Sequence, residues 1–129
     1  MRLLRIFLPV CIAAPLLLLA SEAPTAEHVK MMKDVNDTNG KLRKGVDVES
    51  NSKHLVELAK QVDAIWSTKS DAAKQSSAAM VTGANDLVKA VAANDADAIK
   101  TASRMIGGSC KTCHDAHREK ISDTEYKIK

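Results

Sequence analysis

The sequence predicts an all-α protein, an antiparallel bundle of four helices. Three observations carry that expectation. All three prolines (Pro9, Pro15 and Pro24) fall within the first 24 positions, so the remainder lacks the residue that most disrupts a helix interior. Four later segments space their apolar residues at i, i+3, i+4 and i+7. Aromatic residues make up only 2% of the 129 (Phe7, Trp66 and Tyr126), which disfavours a strand-rich sandwich or barrel. A hydrophobic share of 45% and a charged share of 27% exclude wholesale disorder, and the length fits one domain. So few aromatics leave large side chains scarce for filling a helical core.

Residues 1–26 read as a secretory signal peptide. Arg2 and Arg5 give a short positive start, and the run from position 6 to 20 is apolar and uncharged. That run is shorter than the ~20 residues of a spanning helix and holds two prolines, against the competing reading of an uncleaved anchor. Ala20, Ala23 and Ala26 each offer a cleavage point, and Cys11 lies inside the run, where a lipid anchor is not expected. Processing leaves residues 27–129 outside the cytoplasm, with no stable membrane insertion and a small positive excess. Lysine and arginine are spread without clustering or aromatic interleaving, so no nucleic-acid partner is expected.

The first predicted helix covers about residues 27–46, with His28, Met31, Met32, Val35, Leu42 and Val46 on one face. Gly40 and Gly45 weaken its second half. The second, about 52–67, carries Leu55, Leu58, Ala59, Val62, Ile65 and Trp66. Polar residues 67–71 supply an N-cap for the third, about 72–93, whose stripe is Ala73, Met80, Ala84, Leu87 and Val91. Asn94 and Asp95 make a turn and a cap. The fourth, about 96–121, aligns Ile99, Ala102, Ile106, Cys110, Cys113, His117 and Ile121, and a frayed polar tail is expected after it.

Cys110-Lys111-Thr112-Cys113-His114 matches the signature for covalent attachment of a c-type haem. Positions i, i+3 and i+4 share one helix face, so two thiols can meet two vinyl groups while the imidazole reaches the iron as proximal ligand. Export agrees, since attachment follows translocation. Three other readings compete. A disulfide between Cys110 and Cys113 has poor geometry on a helix. A thioredoxin-like pair needs a βαβ setting that is absent. A zinc site from Cys110, Cys113, His114 and His117 would crowd four ligands into two turns.

The run from Ile106 through Gly107, Gly108, Ser109 and the CxxCH motif to Asp115, Ala116, His117 and Arg118 resembles the cytochrome c prime family (class II cytochromes c). Met32-Lys33 and Ile65-Trp66 are similar as well, and the likeness spans roughly 27–120. Members often carry an Arg-Gln pair where this chain has His28 and Val29. The resemblance implies a periplasmic four-helix bundle enclosing one covalently attached haem c per chain. It also implies Arg118 beside the haem edge and Met32 at the distal position. Relatives often dimerise through the first two helices, which leaves a homodimer open.

A thioether at Met32 makes a six-coordinate, low-spin iron suited to electron transfer with redox partner proteins. A five-coordinate iron open to NO or CO is the alternative function, and a haem-free interaction bundle is a third. Met31 lies about 100° around the helix from Met32 and cannot share its role. His28 is a weaker distal candidate and is expected to face solvent or to pair with Glu27 or another nearby group. His117 reads as a haem-edge or surface residue, His54 as exposed, and Trp66 as packing against the haem. No general base or nucleophile stands out, so an enzyme is not expected.

Overall fold

The computed structural model describes residues 22–129. The first 21 positions of the expected leader lie outside the described residues. Four helices follow in order: α1 (Ala26–Arg43), α2 (Val48–Trp66), α3 (Asp71–Ala92) and α4 (Ala96–His117). Connections of a few residues make each helix run against its predecessor, giving an antiparallel four-helix bundle. None of these helices is long and apolar enough to cross a membrane.

The helix ends follow from cap chemistry. Thr25, Ser70 and Asp95 each accept a backbone N–H three residues on, at the starts of α1, α3 and α4. α1 stops at Arg43, three residues short of the expected 46, because Gly45 takes a φ of 69°. Val46 then bonds back to the Lys41 carbonyl and Gly45 to that of Leu42, which is a Schellman stop. α3 ends the same way around Asn94, at φ 52°, with Asp95 bonded to Ala90. α2 begins four residues before the expected 52, since Asn51 Nδ2 donates to the Val46 carbonyl at 2.8 Å and secures its first turn. Val46 is therefore a loop residue and exposed. Ile65, expected in the core, is also exposed because Trp66, about 100° around, takes the inward position.

Small residues dominate the contact between helices. Ala59, Ala73 and Ala84 are fully buried, with Leu55, Ile106 and Leu87 packed among them. Gly83 lies against α4: a Cβ there would meet Ile106 Cγ1 at 3.0 Å and the Ala102 carbonyl at 3.4 Å. α3 packs closely on both α2 and α4, whereas α1 packs on α2 and stands off α4. That gap holds the candidate site.

The tail differs from expectation. Arg118 leaves the helix for extended backbone (φ −113°, ψ 122°), and β1 (Arg118–Lys120) pairs antiparallel with β2 (Tyr126–Ile128). Ser122 Oγ accepts the Glu125 N–H at 3.1 Å and stabilises the intervening turn. Glu22 exchanges two backbone bonds with Ile128, joining the start of the described chain to its end. Ile121 lies in this ribbon, exposed, rather than on a helix face.

Gly83→Val should cost about 1–3 kcal/mol, because its branches have no room beside Ile106. Gly40→Ala, with nothing within 4 Å of the new Cβ, should gain about 0.5–1 kcal/mol. Urea denaturation of the purified protein reads both.

Candidate haem site

Between α1 and α4 lies a cavity of about 800 Å³, within the roughly 300–1,000 Å³ range of cofactor sites. All four helices line it. α1 contributes His28, Met32 and Val35; α2 contributes Val62 and Trp66; α3 contributes Ser76, Ser77 and Met80. α4 contributes Gly107, Cys110, Cys113, His114 and His117, and the ribbon adds Arg118, Tyr126 and Ile128.

The motif residues reach this space together because they share one face of α4. Cys110 and Cys113 are both unbridged thiols. Burial pushes both up from the ordinary thiol range, and Cys113 rises further through its neighbour Cys110. Among the described residues no group of three or more His, Cys, Asp or Glu comes together to hold a metal ion, so the four-ligand zinc reading is not assembled. His114 lies below its ordinary value, through burial first and then the charge of Arg118, while Asp115 pulls the other way. A neutral imidazole is the form that ligates iron.

The methionines separate. Met31 is buried in the core among the helices, whereas half-buried Met32 lines the cavity. His28 departs from expectation. Its ring is half-buried and packs 5.4 Å from Trp66, because α1 leans on the end of α2 rather than leaving its first turn to solvent. Trp66 packs at the same distance on His117. His117 Nε2 lies 2.7 Å from Ser70 Oγ, and its Nδ1 lies 3.4 Å from the Lys129 carbonyl. With the proton on Nδ1 the ring serves both partners, tying α4 to the start of α3 and to the chain's end. His54 is exposed and does not line the cavity.

Several features of the wall suit a haem. Trp66 Nε1 and Ser76 Oγ are buried on it without a hydrogen-bond partner in the protein. Lys33, Arg43, Arg118 and Lys127 line it against a single acid, Glu125, which favours a group bearing carboxylates. Cys110, Cys113 and His114 would hold that haem, with Trp66 and Arg118 against it. Sequence reasoning missed Ser76, which looked like one polar residue among many, and the ribbon residues. Alternation in Tyr126-Lys127-Ile128 was the only signal for a strand there.

Burial holds both His28 and His114 below their ordinary value of 6.5. The unfolded chain therefore binds these protons more readily than the folded one. The corresponding stability is complete above 6.5 and is lost as pH falls through the folded values. The urea midpoint of the haem-free protein should fall between about pH 7.5 and about pH 5, and less so in His28→Gln.

No curated protein and no solved structure gives a significant match to the chain. Residues 26–118, all four helices and the whole CxxCH motif, match the family model described as Cytochrome C'. The chain belongs to the cytochrome c′ family, whose members are c-type haem proteins built on this bundle.

Proposed function

We propose that the protein is an exported, periplasmic monohaem cytochrome that transfers electrons between redox partner proteins. In this reading Cys110 and Cys113 would anchor the haem, and His114 and Met32 would hold its iron. The carrying observation is the division between adjacent methionines. Met31 goes to the core, whereas Met32 lines the same cavity as His114 from the opposite element, α1. A bound haem supplies one-electron chemistry between ferric and ferrous iron. The chain's part is to keep that group dry and its ligands fixed. Val35, Val62 and Met80 give the cavity apolar walls, and the His28–Trp66–His117 stack closes one end.

The absorption spectrum of the protein expressed with haem maturation tests this reading. A low-spin wild-type spectrum that becomes high-spin in Met32→Leu, and stays low-spin in Met31→Leu, supports it. A high-spin wild-type spectrum that changes on adding NO or CO would replace electron transfer with gas binding.

Two contacts near the start of α1 favour one of the three processing points. A cut after Ala26 would remove the Thr25 cap of α1 and the Glu22–Ile128 bridge, and a cut after Ala23 would remove the bridge. A cut after Ala20 keeps both, so the mature protein should begin at Ser21. Intact mass of the periplasmic protein reads the end directly. A start at Glu27 would show that neither contact is retained.

A further inference from the structure

We infer that Tyr126 is a positioning residue that holds the Arg118 guanidinium at the haem site and thereby raises the reduction potential. The inference rests on the haem reading. The ribbon that carries Tyr126 lies beyond residues 26–118, the stretch matched by the family model. It is nevertheless part of the cavity wall.

Backbone bonds fix the ribbon independently of its side chains. The Arg118 N–H donates to the carbonyl of His114 itself. The Lys129 N–H donates to the His117 carbonyl at 3.0 Å, and Ile128 is paired with Glu22. Arg118 stands opposite Ile128 and Tyr126 opposite Lys120, so Arg118 and Tyr126 are diagonal neighbours on one face. The guanidinium carbon lies 3.4 Å from the centre of the Tyr126 ring, well inside cation–π range. Without the ring, an exposed arginine at a helix end has no carboxylate partner among the described residues and is free to swing into water.

Placement matters because charge acts at short range. A cation held one helical turn after the proximal ligand favours the less positive ferrous state. The same cation swung further into solvent acts over a longer distance and is screened more. The aromatic ring thus converts a mobile surface charge into a fixed one.

Midpoint potentials of the haem-loaded variants, taken by spectroelectrochemical titration, test this. Tyr126→Leu should shift the potential downward, and Arg118→Leu should shift it by a similar amount. The double variant should fall no further than either single one, because both remove the same interaction. Tyr126→Phe should match the wild type, since the ring face and not the hydroxyl holds the cation. An unmoved potential in Tyr126→Leu, additive shifts in the double variant, or Tyr126→Phe behaving like Tyr126→Leu would each overturn the inference. Covalent haem content is measured on every sample. A wild type without haem would instead overturn the functional reading, and this inference with it.

Discussion

Two thiols and an imidazole on one face of a single helix need an open space beside them, and the bundle is arranged around supplying it. α4 is held by α3 along its length, so its motif face is free on the other side. α1 closes that side at a distance, leaning on α2 instead of α4. Had all four helices packed equally, Cys110, Cys113 and His114 would be buried against a neighbour with no room for a flat group. The asymmetry begins with side-chain size. Gly83 and three fully buried alanines let α3 pack closely on α2 and α4, and the larger Met32, Trp66 and Met80 line the cavity.

The shortage of aromatic side chains belongs to the same arrangement. The core is built of alanines, valines, leucines, two methionines and Ile106, with Trp66 as its one aromatic member. The fourth helix completes the bundle across a space suited to a macrocycle. Trp66, the one buried aromatic residue described, sits at the edge of that space between His28 and His117 rather than at the centre of the core. Its unpaired Nε1 is a cost the protein alone does not relieve, since a buried donor without a partner loses its water and gains nothing. Both facts point to a structure completed by its cofactor.

Much of this was legible in the residues. Proline placement and helical periodicity gave the four helices, and the CxxCH spacing located the site on the last of them. Boundaries failed where local chemistry outranked periodicity. Gly45 and Asn51 moved a helix end and a helix start by three and four residues. The ribbon was hidden because its three-residue strands carry little pattern, and its partner at Glu22 lies about a hundred positions away. His28 was misread for a related reason. A histidine beside an acid at a helix start looks exposed, and only the tertiary approach of Trp66 shows that it is not.

Electrostatics divides the site into a neutral interior and a charged rim. Inside, partial burial pushes the two thiols up and the two imidazoles down from their ordinary values. At the rim, Lys33, Arg43, Arg118 and Lys127 outnumber Glu125. A group with an apolar ring and carboxylate edges would suit both halves at once, its ring against Val35, Val62 and Met80 and its acids toward the cations.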